Sequence, residues 1–491
     1  MKRFLTLALA SLTVLPLVAC GGGGGQETAQ TAANVETAVG TPTEAVTDRA
    51  QTKDNLPADL DFKGEKITVL LRDTGVQYMF GGEELTGDVV TDANYNRRTS
   101  VEERLKVKFD FKPMASNSGG TEILNAIIAS VTAGTQDWDI TYLHHGKIAS
   151  NGPLGYFRNM VNAPYIDCEQ PWWNLEYMNL ASVSEDKRYL IAGDITPNLT
   201  DWASCMFFNK AIYTDIAGNP DALYSTVLEG KWTLDLCNEL CQKAYIDLNG
   251  NGEKDIEDRL GECVNGGGSD GDHWVYTLGM QLTERNKAGN PAFVANNENN
   301  VRVIDACYNH FFETKGVLHT TEATPFGSGN VLFCAKWPAV ASTLREMQDP
   351  YGIIPMPKLN EEQENYIALV QNSSLMMGVP MTVPDSKFPT VCAVLEAWCA
   401  ENYRTVMPAI YEVALKSKYS QDSLSSQMID IIHDHTTTDF AYICSTMLGG
   451  TSIGTIHRTL YSAQSKDFAS KFASLKPTAE KALADAIAGA K

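Results

Sequence analysis

Between residues 63 and 146 the apolar positions alternate between two periods. Lys63–Leu71, KGEKITVLL, is β-branched and reads as a strand; Asp92–Leu105 is an amphipathic helix; Val107–Phe111 is extended again. Thr121–Ala133 then carries a helical pattern and Trp138–Leu143 a strand pattern that ends at His144-His145-Gly146. Strands alternating with helices of this length predict a parallel α/β sheet. Ligands of such sheets sit beyond the carboxyl ends of the strands. That places Thr74, Tyr142, His144 and His145 at the rim of a cleft.

The same alternation resumes further on. An apolar run ends in Phe208-Asn209-Lys210, and Trp232–Ile246 reads as a helix with Thr233 as its N-cap. Gly271–Gln281 and Val301–Thr314 have helical patterns, and Phe326–Trp337 is a glycine-marked turn into a buried strand. In Tyr351–Leu369 an apolar run stops at Pro355 and Pro357. Proline cannot donate to a strand ladder and holds the residue before it extended. An acidic loop leads on to the strand Ser374–Val383 and the helix Asp385–Asn402, and helices from Ser423 and Lys466 finish the chain.

The N-terminus is of a different kind. Lys2 and Arg3 precede the apolar stretch Phe4–Val18, and Leu17-Val18-Ala19-Cys20 is a lipobox. The apolar core is short for a membrane span, so residues 1–20 read as a lipoprotein signal with Cys20 as the lipidated residue. The mature protein is then anchored to the outer face of the cytoplasmic membrane by lipid alone. Residues 21–62 are low in complexity and predict a flexible tether with a reach of roughly 35 Å.

Charge narrows the partners. With 39 Lys and Arg against 60 Asp and Glu the net charge is −21, which excludes nucleic acid, since phosphate binding needs a basic face. Ten cysteines remain besides Cys20, none in a CxxC pair. Cys237 with Cys241, and Cys392 with Cys399, fall on single helix faces and read as small buried hydrophobes rather than as disulfides or metal ligands.

The sharpest local chemistry is Asp247–Asp258, DLNGNGEKDIED. Asp247, Asn249, Asn251, Asp255 and Asp258 fall at the side-chain ligand positions of an EF-hand loop, with Gly252 at the sharp turn and Glu253 offering its backbone carbonyl. The expected ion is a structural Ca2+. Asp258 departs from the pattern, which usually ends in Glu, and the residues after the loop look extended, so this is half an EF-hand. A rival string, Gly450-Thr-Ser452-Ile-Gly454, fits a hydrolase nucleophile elbow, but His457 follows too closely to complete a triad. His433 and His435 are two apart on a helix and point away from each other.

Several segments together resemble the family 1 extracellular solute-binding proteins of ABC importers, the maltose-binding-protein-like group. They are TGDVVTDANYNRRTSVEERL (Thr86–Leu105), FFNK (Phe207–Lys210), GKWTLD (Gly230–Asp235), the acidic loop, YGIIPMPKLNEEQENY (Tyr351–Tyr366) and Val394–Asp422. The resemblance implies an α/β fold of two lobes joined by two or three crossing segments, with the ligand cleft between them. Lobe 1 would comprise 63–203 and 374–415, lobe 2 204–373 and 416–460, with C-terminal helices over 461–491. It implies a monomeric, non-enzymatic receptor that closes on a saccharide and delivers it to ABC permease subunits. Sugars need aromatic plates and a few directed polar groups. By position in the family pattern those are Trp274 and Trp337 on lobe 2, Tyr142, His144 and His145 on lobe 1, and Trp202 at the crossing. A receptor for peptides or other solutes is the alternative, and a secreted hydrolase a more distant one.

Overall fold

The structure is a computed structural model, which describes residues 49–73, 79–117, 119–294, 297–322, 325–410 and 423–490. The signal, Cys20 and Thr74 lie outside the described residues. Two sheets carry the fold, built from β1 (Glu65–Arg72), β2 (Val107–Met114), β3 (Ile140–His144), β4 (Cys205–Asn209), β5 (Leu260–Val264), β6 (Val317–His319), β7 (Val331–Lys336), β8 (Tyr351–Pro355) and β9 (Leu375–Gly378).

The first sheet has the order β9-β3-β1-β2. β1 runs parallel to both neighbours, and β9 returns antiparallel to β3 with Met377 opposite Tyr142. Its central strands β1 and β3 are largely apolar on both faces, as in parallel sheets covered on both sides, whereas edge strand β2 alternates with Lys108, Asp110 and Lys112. Ile67, Val69, Leu70 and Leu71 are all buried. The helix Val89–Leu105 starts where Asp88 accepts from the Thr91 N–H and stops at Lys106 in the left-handed conformation. It packs on Phe388–Glu401, where the Arg97 guanidinium lies 3.5 Å over the Trp398 ring.

The second sheet has the order β8-β4-β7-β5-β6. β4 is antiparallel to both neighbours, whereas β5 is parallel to β6 and β7. The helix Leu234–Ala244 packs on β5; Thr233 holds its N-cap position, but its hydroxyl makes no capping bond. The predicted helix over Val301–Thr314 is Glu298–Tyr308 followed by a π-turn, Asn309–Glu313. Phe468–Gly489 packs on Ile456–Ser462 and on Glu298–Tyr308.

Three segments cross between the sheets. Ala203 bridges Val370, the Gln371 N–H donates to the Trp202 carbonyl at 2.9 Å, and Ala368–Leu369 pairs in parallel with Thr436–Thr437.

The tether boundary at 62 is corrected. Residues 49–62 lie against lobe 1: Asp54 forms a bidentate pair with Arg104, Leu56 is buried, and Leu60 and Phe62 pack on the core. Composition suggested a tether because the partners that hold this stretch are distant in sequence. The ten described cysteines are all free; Cys168 is half-buried and the rest are buried. Among the described residues no helix is long and apolar enough to cross a membrane.

Candidate functional site

β7 ends at Lys336, and the next residue, Trp337, projects at the lobe crossing. There its indole stacks on Trp202, with ring centroids 5.1 Å apart and planes 16° from parallel. Both indoles are only partly buried. His273 lies 5.4 Å from the Trp337 ring. Its Nδ1 meets the Ser204 hydroxyl at 2.5 Å, and that hydroxyl donates to the Leu369 carbonyl at 3.0 Å. Nδ1 is therefore the protonated nitrogen, and Nε2 is a buried acceptor with no partner. Burial holds the imidazole neutral, with its pKa down at about 4. Beside it Lys336 pairs with Asp270. The crossing thus gathers an aromatic stack, a buried neutral histidine behind it, and an ion pair.

One residue before His273, Asp272 is completely buried. It accepts from the Tyr442 hydroxyl and from His457 Nε2, each at 2.8 Å, and from two nitrogens of Arg458. Burial pushes this carboxyl up, but the Arg458 and His457 donors outweigh it and hold the group below the usual carboxylate range. Tyr442 also accepts from the Asn372 N–H at 3.1 Å, which ties the 369–374 crossing to lobe 2. Its neighbour Ile443 lies against Gly146 of lobe 1, where a Cβ would sit 2.4 Å from the Ile443 carbonyl oxygen.

Three of the proposed plates and readers are core groups instead. Trp274 is completely buried; its Nε1 donates to Glu262 at 3.2 Å and its ring lies 4.1 Å from His310, inside lobe 2. Tyr142 is buried beneath Met79, its hydroxyl accepting from the Asn198 amide. His145 is buried too, meeting the Tyr177 hydroxyl at 2.5 Å, and burial lowers its pKa to about 3. These three hold lobe and hinge together; they do not face a cleft. His144 is partly buried at the end of β3, opposite Leu375. Ser204, Asp270, His273 and Lys336 escaped the sequence reading, since none belongs to a recognisable motif.

The acidic loop is folded back on itself by its own side chains. Ile246 and Arg259 bridge its two ends. Asp247 accepts from the Gly250 and Gly252 N–H groups at 2.7 and 3.0 Å. Asn249 and Asn251 both donate to Asp255 Oδ2, so the three side chains converge. Asp258, the variant last position, is completely buried, accepting from the Leu248 and Asp255 N–H groups. None of the ion pairs among the described residues reaches Asp247, Asp255 or Asp258. A buried carboxylate without a cationic side chain fits a divalent ion. The Glu253 N–H caps Asn251, which leaves its carbonyl available as the loop pattern requires.

The hydrolase string does not form an elbow. Ser452 lies in a turn before the 3-10 segment Ile453–Thr455 with no strand ahead of it, and His457 Nε2 is engaged by Asp272. His433 reaches Asp194 at 3.0 Å and His435 turns back to the Ile431 carbonyl, so the two rings diverge.

Two α/β lobes on separate sheets, joined by three crossing segments, make the two-lobed fold of the periplasmic binding proteins. The chain is similar to the cyclic α-maltosyl-1,6-maltose binding protein from Arthrobacter globiformis, with 12% identity over 86% of this chain and 99% of that one and a TM-score of 0.57. It is similar to UspC of M. tuberculosis, with 11% identity, 85% and 100% coverage and a TM-score of 0.57. A third is the ABC substrate-binding protein Lmo0181 from Listeria monocytogenes in complex with cycloalternan, with 11% identity, 87% and 100% coverage and a TM-score of 0.51. No protein-family model matches the chain, and no curated protein matches it in sequence.

Proposed function

We propose that this protein is a lipid-anchored, extracytoplasmic receptor of an ABC importer, which captures a saccharide by hinge closure and delivers it to a membrane permease. The observation that carries the reading is the partly exposed Trp202–Trp337 stack at the lobe crossing, bordered by His273 and by the Lys336–Asp270 pair. Flat indole faces suit the C–H faces of a pyranose, and the polar groups beside them suit its hydroxyls. Trp337 is flanked by Trp202 and by His273, which leaves Trp202 to offer the free face. Two of the similar structures are named for oligosaccharides, which supports the same ligand class here.

Binding begins on the crossing and lobe 2, and contacts added by lobe 1 then favour the closed state. Asp270 and Lys336 read sugar hydroxyls beside the stack, and the buried His273 supports Trp337 from behind. No covalent step is required of the receptor. The acidic loop holds a structural Ca2+ through Asp247, Asn249, Asn251, Asp255 and Asp258 and the Glu253 carbonyl, pinning the connection between Leu234–Ala244 and β5.

The test is a thermal-shift screen of the full chain against mono- and oligosaccharides and against peptides. A ligand at a hundred times its Kd stabilises by about 2.7 kcal/mol. The expected result is a saccharide shift that Trp202→Ala and Trp337→Ala abolish. A shift for peptides with silence across sugars would transfer the site to another solute class.

A further inference from the structure

Behind the crossing, in the core of lobe 2, three elements bring a second set of donors together. Cys237 and Cys241 lie one turn apart on Leu234–Ala244, and Glu262 stands in the middle of β5. The two Sγ atoms and a Glu262 carboxylate oxygen all lie within 4.8 Å of one another, and all three residues are buried. Glutamate is almost never fully buried without a partner, and Glu262 is 0% exposed in a central strand.

The carboxylate is held from two sides. Trp274 Nε1 donates to Oε1 at 3.2 Å, and His310 Nε2 meets Oε2 at 2.9 Å. The other ring nitrogen of His310 lies 2.6 Å from Asn238 Oδ1, an oxygen that also accepts from Thr314. His310 itself is carried by the π-turn Asn309–Glu313, a rare local geometry that recurs at functional sites. Two glycines allow the close approach. A Cβ at Gly261 would stand 2.4 Å from Cys241 Cα, and one at Gly316 would stand 2.3 Å from the Cys241 carbonyl oxygen. Helix and strand are thus packed as tightly as backbone permits at the point where thiols and carboxylate meet.

We propose that Cys237, Cys241 and Glu262 form a binding site for a zinc-class divalent ion, with His310 and Trp274 orienting the carboxylate ligand. Two sulfurs and one oxygen suit a borderline-soft ion and not calcium. Binding displaces the two thiol protons to solvent, with no oxidation or reduction. His310 and Asn238 behind it hold the carboxylate from the side away from the thiols, the outer support that a ligating carboxylate needs. The spacing Cys-x-x-x-Cys alone did not show this site, because the third ligand is contributed from β5 and its support from the π-turn.

The full chain, purified under reducing conditions without chelator, is assayed for bound metal and titrated with Co2+ alone. The expected result is one zinc-class ion per chain, counted apart from calcium in the acidic loop, and a thiolate-to-cobalt charge-transfer band that zinc displaces and calcium does not. The band is lost in Cys237→Ser and Cys241→Ser and weakened in Glu262→Gln. Folded protein, shown by circular dichroism, that takes up cobalt without a thiolate band would overturn the proposal. So would a band unaffected in both serine variants, or a Cys237–Cys241 disulfide found by peptide mapping of protein purified without reductant. The wild-type titration decides the matter by itself if the variants do not fold.

Discussion

Trp274→Ala separates a core role from a ligand-plate role. The side chain is 0% exposed, wedged against His310 and Phe311, and its indole N–H is a donor to Glu262. Truncating a buried tryptophan costs about 3–5 kcal/mol in lost contacts and cavity. Leaving a buried carboxylate oxygen without its donor adds about 1–3 kcal/mol. The two terms share a site and do not add fully, so about 4–6 kcal/mol is expected. At a urea slope of about 3 kcal/mol/M the lobe 2 transition moves down by roughly 1.5 M. Urea melts followed by circular dichroism measure it, with Trp274→Phe, which keeps a ring and loses the N–H, falling between the two. Trp337→Ala, on a partly exposed indole, should shift the midpoint far less while weakening saccharide binding at least about tenfold, about 1.4 kcal/mol. A Trp274→Ala protein that melts like wild type but no longer binds sugar would refute the argument and put this indole in the cleft.

Calcium bound to the acidic loop raises the melting temperature, and EGTA or Asp247→Ala removes that increment; a melting point indifferent to both sinks the cation reading. His433 gives a pH signature: burial lowers its pKa, but the Asp194 and Asp434 carboxylates outweigh this and lift it from 6.5 to about 10. Its stabilisation is full below about pH 6.5 and fades as pH rises through about 10. Denaturation midpoints of His433→Gln should accordingly approach those of wild type in alkali, and a gap that stays constant across this range contradicts the pairing. Gly193 has φ +144°, and a Cβ there would stand 2.2 Å from the Trp172 carbonyl oxygen. Gly193→Ala should destabilise by at least about 1–3 kcal/mol, read from the lobe 1 melt.

Much of the architecture was legible because most sheet strands announce themselves locally, as β-branched or aromatic runs between helical periods with prolines closing β8; the three-residue β6 carries no such signal and was not read. The site was legible only in part. In 271–277 every side chain is buried, so helical periodicity could not say which residue faces the crossing. Asp272, His273 and Trp274 are consecutive and point to Arg458, Trp337 and Glu262 in turn. The large aromatic drew the assignment, and its smaller neighbour stands at the site. On β3 the rule about carboxyl ends fails for Tyr142, which lies two residues before the strand's end and is buried within the sheet. In the acidic loop most side-chain contacts fall within twelve consecutive residues, so spacing speaks more directly of local geometry there, while Lys254 reaches out to the Val317 carbonyl.

Strand β9 is parted from its neighbour β3 by the whole of lobe 2's sheet. Lobe 2's sheet lies within one continuous stretch, residues 205–355, and is complete before Leu375 leaves the ribosome or the export channel. Until then β3 is a bare edge, with unpaired N–H and C=O groups able to template aggregation. An order of sheet formation is therefore written into the connectivity: the inserted sheet can pair first, and the sheet that starts the chain is closed after it. Long-range pairing of this kind is slow. Pulsed hydrogen exchange during refolding should show protection at Cys205–Asn209 and Val331–Lys336 before Ile140–His144.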